Sequence, residues 1–228
     1  PIVAAAIVLT IDVGAAGGIN DPGNGSPGAD TIITGTGFST ITSDGGGYGA
    51  HGGAGGDGGA GGGAGFLSTD GGDGTAAQGF DGGHGLGHAS PYAGGVGGGS
   101  SEDGAVTPSP VIGGNGGDGL ASTITGTSVE RGGGGGGSAR TGGNIGYGGA
   151  GGGGPGGTTG VGQPGTSNTG GGGGAGGHFN AAGIGGSGVV ILRMPLASYS
   201  GVVTGSPGEA TDGTDKVLTF TGDGSYTT

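Results

Sequence analysis

The chain has 228 residues, of which 79 are Gly, and its formal net charge at pH 7 is -12. Val, Ile, Leu and Phe together number 37, a share at which strongly charged chains are normally disordered, which argues against an ordinary globular enzyme. Ten Pro residues and glycine runs without Gly-X-Y phase exclude collagen, and four Lys and Arg residues argue against nucleic-acid binding.

The apolar residues concentrate at the two ends of the chain and predict strands there. Segment 1–13 is β-branched and ends in alternating apolar and polar residues, which is typical of a strand. The apolar run in 187–195, stopped by Pro195, predicts a buried closing strand. Val217–Thr221, followed by Gly-Asp-Gly, predicts a strand, a turn and the start of another strand. Two similar inner pieces, 31–34 and 122–125, are also β-prone and hint that two halves reuse one local structure.

The glycine-rich body, residues 14–186, has local three-residue phasing, as in GGAGGDGGAGGGAG from Gly52. This phasing predicts left-handed polyglycine-II helices that hydrogen-bond laterally, and the alternative is a flexible linker. We therefore predict a mostly irregular, polyglycine-II helical bundle with a small β scaffold from the two termini and essentially no α-helix. The predicted domains are a glycine-rich domain, 1–195, and a C-terminal β segment, 196–228, that pairs with a neighbouring subunit or module.

Few residues are suited to chemistry. Gly113–Ala121 fits one nonapeptide of a calcium β-roll, with Asp118 as the ligand, but that motif works in tandem and only one copy is complete. His84 and His88, near Asp81, lie in a stretch that will not be helical, so we expect loop histidines and no metal site. Phosphate-loop motifs lack their Lys or their flanking elements. We predict no catalytic residue and no cofactor.

The second half resembles a known family. GGNGGDGLASTITGTSVERGGGGGG from Gly113, then GTSNTGGGGGAGG and GGSGVVILRMP, are similar to the glycine-rich modules of bacteriophage and marine viral tail fibres and virion appendages. The terminal KVLTFTGDGSYTT resembles the strand pair that usually opens such a module, whereas here it follows the glycine-rich body. The resemblance implies a structural or host-recognition role without chemistry.

Two sets of residues are candidates for that role. Isolated aromatic and His side chains at loop tips present faces to sugar rings, or alternatively plug the ends of the body and subunit seams. The host-binding candidates are Tyr48, His51, Phe80, His84, His88 and Tyr92. The candidates for assembly strands are Ile7, Leu9, Val13, Val190, Leu192, Leu218 and Phe220.

The leading hypothesis is a non-enzymatic structural protein of a viral appendage or tail fibre, located in the virion, that self-assembles and contacts the host surface. Its expected partners are copies of itself or other virion subunits and a cell-surface glycan or outer-membrane protein, with no nucleic acid and no membrane insertion. The alternative is a subunit of an extracellular filament assembled by β-strand addition. A third hypothesis, an ice-binding polyglycine-II bundle, requires a regular face of small residues, and the Ala and Thr residues keep no constant register.

Overall fold

The computed structural model describes residues 6–19, 24–65, 67–68, 70–86, 93–109, 111–177 and 180–228. Ten strands lie in these ranges, and all their pairings are antiparallel. In chain order they are β1 (Val8–Asp12), β2 (Thr31–Gly35), β3 (Phe38–Ser43), β4 (Leu120–Ser122), β5 (Val129–Arg131), β6 (Val190–Pro195), β7 (Val202–Thr204), β8 (Gly208–Asp212), β9 (Asp215–Phe220) and β10 (Gly224–Thr227).

The strands form three sheets, of which the first joins the two ends of the chain. The first has the order β3-β2-β1-β10-β7, so the first and the last strands pair directly, and the second has the order β6-β9-β8. The third is the β4-β5 hairpin. The strands predicted at the ends correspond to β1, β6, β9 and β10, because their runs of β-branched and apolar residues each supply a face to bury.

One apolar cluster holds the two larger sheets together. Its buried members come from β1, β6, β9 and β10: Ile11, Val190, Leu218, Phe220 and Tyr226. The chain passes from β9 in one sheet to β10 in the other across residues 221–223, so these neighbouring strands bring side chains from both sheets into the same core.

The predicted helical bundle is wrong. The described residues contain strands in antiparallel sheets and irregular glycine-rich segments, with one 3-10 turn at Leu196–Ser198 and no α-helix. The Gly-Gly-X phasing lasts only a few residues at a time, and glycines with positive φ, such as Gly132, Gly152 and Gly170, redirect the chain. Hydrogen bonds between separate segments therefore hold the backbone, in place of a repeating helical conformation.

The two similar inner pieces adopt different structures. Residues 31–34 lie in β2, which is paired on both sides, by β1 and β3. Residues 122–125 leave the end of β4 and enter a turn, closed by a 2.9 Å hydrogen bond from Gly126 N to Thr123 O. No helix in the described ranges has the length and apolarity needed to span a membrane.

Candidate functional site

A ring of extended segments surrounds a cavity in the glycine-rich body. Eight segments form the ring: residues 14–18, 25–29, 45–50, 59–64, 94–98, 132–138, 170–175 and 183–188. Each is joined to its two neighbours by backbone hydrogen bonds, so the ring has no open edge. The bonds, with N···O distances of 2.7–3.1 Å, run from Ala29 N to Ala15 O, Gly28 N to Gly46 O, Gly47 N to Ala60 O, Gly98 N to Gly61 O, Gly97 N to Gly135 O, Gly172 N to Gly133 O, Gly186 N to Gly171 O and Gly185 N to Gly17 O.

Close contact between backbones explains why the body, in the ring and around it, is built from glycine. A Cβ on Gly47 would collide with the carbonyl oxygen of Gly56, and one on Gly146 would collide with that of Gly114. No rotamer change relieves such a clash, because both partners are main chain. At these positions the absence of a side chain lets neighbouring segments approach to hydrogen-bonding distance.

The cavity inside the ring has a volume of about 820 Å³. One end, the inner end, adjoins the five-stranded sheet, since β2 follows segment 25–29 and β3 precedes segment 45–50. Asp44, Gln78 and Arg131 line the inner end, and Tyr48, His51, Arg140 and Asn180 line the opposite, outer end. The rest of the lining consists mainly of Gly, Ala and Ser residues, together with Ile19, Thr31, Leu120, Thr169 and Val189.

Two of the predicted host-binding residues lie together at the outer end of the cavity. The ring of Tyr48 covers Gly56, where a Cβ would collide with it, and His51 is exposed, with its backbone N–H donating to Asn24 Oδ1 at 2.9 Å. Phe80, which is 44% exposed, and His84 do not line the cavity. His88 and Tyr92 lie outside the described residues.

The predicted assembly residues lie in or against the core of the chain itself. Val190, Leu218 and Phe220 are buried in the apolar cluster, and Leu9, Val13 and Leu192 pack on it. Ile7 is half-buried, and its carbonyl accepts from Thr228 N at 2.9 Å. In the described chain β9 is paired by β6 and β8, and β10 by β1 and β7, so the C-terminal segment finds its partners in the same chain.

Carboxylates of the body cap backbone N–H groups. Asp118, the candidate calcium ligand, accepts a 2.8 Å hydrogen bond from Ala150 N. Asp30, Asp57 and Asp81 accept in the same way from Gly45 N, Asp73 N and Gly74 N, each at 2.8 Å. No group of three or more potential metal-ligating His, Asp or Glu side chains occurs in the described part of the chain. These Asp residues therefore complete the hydrogen bonding of glycine segments.

The charged side chains of the C-terminal sheets form a separate network. Lys216 Nζ lies 2.7 Å from Glu209 Oε2, which also accepts a 3.1 Å hydrogen bond from Tyr199. The bond from Lys216, and to a smaller extent that from Tyr199, lowers the pKa of Glu209. Partial burial, and to a smaller extent the bond to Glu209, raises the pKa of Tyr199. Arg193 bridges Asp212 and Asp215 at 2.8 Å each, and hydrogen bonding to Asp215 and then to Asp212 raises its pKa.

The two arginines of the cavity were not predicted from the sequence. Arg131 and Arg140 form no ion pair with any described carboxylate, whereas Arg193 and Lys216, the other two cations of the chain, are both paired. The local signal is the sequence RGGGGGGSAR, in which an arginine stands at each end of an almost pure glycine segment. Only the closure of the ring shows that this segment is a wall of a cavity.

Comparison with known proteins identifies the family of the chain. The sequence profile of the glycine-rich domain matches residues 2–195, which include the ring and β1 to β6. Neither the curated proteins nor the solved structures gave a significant match. Since the matched region covers most of the chain, the protein belongs to the glycine-rich domain family.

Proposed function

We propose that the protein is a non-enzymatic structural protein of a viral appendage or tail fibre, which presents the outer end of its ring to the host surface. The observation that carries this proposal is the use of backbone, in place of side chains, to hold the body together. A body built in this way is a scaffold whose remaining side chains are free for surface contacts.

The outer end of the cavity supports a contact role. It combines the aromatic ring of Tyr48 with the polar groups of His51, Arg140 and Asn180. Aromatic faces bind the apolar CH surfaces of sugars, and amide and guanidinium groups bind hydroxyls and carboxylates. A cell-surface glycan fits this set of groups.

Immunogold labelling tests the proposal. Antibodies raised against the purified chain are applied to virus particles released from the cells in which the protein is made, and the particles are imaged by electron microscopy. We expect label on an appendage of the particle. Particles that stay unlabelled while the protein is abundant elsewhere in the same sample would contradict the proposal.

A filament subunit is the second candidate, and the edge strand β3 favours it. All six residues of β3 are exposed, and its outer edge pairs with no described strand. Such an edge is a template for pairing with another chain.

Light scattering of the wild-type chain and of Ile41→Lys decides between the candidates. Concentration-dependent polymers that the charged variant abolishes would favour the filament, whereas a small closed oligomer in both would remove it.

A further inference from the structure

The wall of the cavity carries backbone donors that have no partner. Gly46 and Gly49 line the cavity, and their N–H groups donate to no described residue. The N–H group of Gly135 also donates to no described residue. Its nitrogen lies between two lining residues, 3.0 Å from the position that a Cβ would take on Gly97 and 2.8 Å from that on Gly172. Gly46 and Gly49 are exposed, whereas Gly135 is buried. Since most buried backbone N–H groups in proteins are paired, the Gly135 donor favours an occupant that brings an acceptor, and the other two donors are accessible to the same occupant.

The cavity also has space that the packing of the chain does not explain. A Cβ on Gly49 would meet no atom within 4 Å, and one on Gly46 would come no closer than 3.9 Å to another atom. Neither residue has a positive φ. Glycine at these two positions therefore serves neither a turn nor a close approach within the chain, and it keeps the cavity open.

The wall segments define the chemistry of an occupant. They pair with one another at three-residue intervals, as in the bonds from Gly47 N to Ala60 O and from Ala50 N to Gly63 O. Gly46 and Gly49, which also line the cavity, are separated by the same interval. An extended peptide with three residues per turn supplies carbonyl oxygens at that interval, and glycine in the peptide permits the same close approach as in the wall.

The charges at the two ends indicate the residues that flank such a peptide. Arg131 and Arg140 lie at opposite ends of wall segment 132–138 and have no described carboxylate partner. The lining carboxylate, Asp44, already accepts a 2.9 Å hydrogen bond from Thr75 Oγ1. An extended chain rises about 3 Å per residue, so the two guanidinium groups match carboxylates separated by on the order of eight residues.

We propose that the cavity binds one extended, glycine-rich peptide segment of a partner protein, flanked at both ends by acidic residues. The wall donors bind its carbonyl oxygens, and Arg131 and Arg140 bind its terminal carboxylates. This inference stands on the geometry of the wall and does not depend on the viral role proposed above.

Fluorescence anisotropy tests the inference with the full chain. The probe is a fluorescein-labelled peptide of Gly-Gly-Ser repeats with an Asp at each end and about eight residues between the two. We expect saturable binding to the wild type and about tenfold weaker binding to Arg140→Gln, because a hydrogen bond to a charged group is lost. A peptide with Val at each Gly position should not bind.

Substitutions that fill the cavity provide the decisive comparison. Gly49→Leu places its side chain in the cavity without a backbone clash, and we expect it to abolish binding. Gly160→Leu is the matched control, since a Cβ at Gly160 also meets nothing within 4 Å and the residue does not line the cavity. Circular dichroism confirms that both variants are folded.

Three results would overturn the inference. They are equal binding by Gly49→Leu and the wild type, absence of peptide binding by the folded wild type, and binding of an acidic oligosaccharide in preference to the peptide. Labelling of virus particles is unaffected by any of these outcomes, so the failure of one proposal is distinct from the failure of the other.

Discussion

Individual glycines in one ring segment have different roles, although the sequence does not distinguish them. Gly47 faces a neighbouring backbone, whereas Gly49 faces open space. The first is needed for the approach of two segments, and the second serves only the cavity. Glycine content alone therefore says little about which positions tolerate a side chain.

Alanine substitutions at these two positions should change stability in opposite directions. Gly47→Ala drives a Cβ into the carbonyl of Gly56, and we expect a loss of about 1–3 kcal/mol in the free energy of unfolding. Gly49→Ala should gain about 0.4–1 kcal/mol, because alanine restricts the unfolded chain at no steric cost. Thermal denaturation followed by circular dichroism measures both. Equal effects of the two substitutions would contradict the packing described for segment 45–50.

The Glu209 carboxylate should make stability depend on acidity. Its bonds to Lys216 and Tyr199 lower its pKa below the ordinary value of 4.5. The stabilisation is therefore fully present above pH 4.5 and is lost as the pH falls through the pKa of the folded state. We expect Glu209→Gln to unfold less steeply with falling pH than the wild type in denaturant titrations between about pH 5 and pH 2. Glu130→Gln, which removes a carboxylate that forms no ion pair in the described structure, is the control.

At the scale of elements, β9 and β10 connect the two larger sheets through side chains in one core. Phe220 is fully buried at the end of β9 and packs with Ile11 of β1 and Tyr226 of β10. Loss of this ring therefore removes contacts from both sheets at once. Other consecutive strands also cross between these two sheets, but among the described strands only β9 and β10 do so with a buried residue on each strand.

Phe220→Ala should destabilise the protein by about 3–5 kcal/mol, the usual cost of removing a buried aromatic ring. Phe38→Ala on the edge strand β3, where the side chain is 37% exposed, serves as the comparison. Because that ring already contacts solvent, we expect a loss below about 1 kcal/mol. Urea denaturation gives both values, and similar midpoints for the two variants would show that the core is not centred on Phe220.

An element can be predicted from the sequence only where its side chains form a recognisable apolar pattern. The strands at the ends were predictable, since Ile7–Val13 and Val189–Met194 carry apolar patterns that fit a sheet. The ring was not, because glycine segments are nearly interchangeable in sequence and their pairing uses main-chain atoms alone. Asp118 illustrates the same limit: the sequence offered it only as a weak calcium candidate, and it could not show that the carboxylate accepts a hydrogen bond from Ala150 N, a residue 32 positions away.

At the scale of the whole molecule, charge is unevenly distributed between the cavity and the rest of the chain. The net charge is -12, yet the cavity contains two of the four Lys and Arg residues, Arg131 and Arg140. A compact chain of high net charge is destabilised by self-repulsion, which added salt screens.

Salt should therefore raise the Tm at neutral pH. We expect the Tm at pH 7 to increase as NaCl is raised from about 10 mM to about 0.5 M, over which the screening length shortens severalfold. Near the sequence isoelectric point of about 4.1, the increase should nearly vanish because the net repulsion is absent. Differential scanning calorimetry at both pH values measures this, and a Tm that falls with salt at pH 7 would show that ion pairs outweigh repulsion.

The direct pairing of the first and last strands has a mechanical consequence. Val8 lies opposite Thr227, and Ile7 and Thr228 are hydrogen-bonded, so the chain enters and leaves the sheet at the same point. A force that pulls these two positions apart acts on the β1–β10 ladder one bond at a time, as in opening a zipper. Sideways shear would instead load all its bonds together. Every segment of the ring is hydrogen-bonded to both neighbours, so the ring has no free end from which its bonds could be opened one by one. The protein should therefore resist a force applied to the sides of the ring better than a force applied to the two ends of the chain.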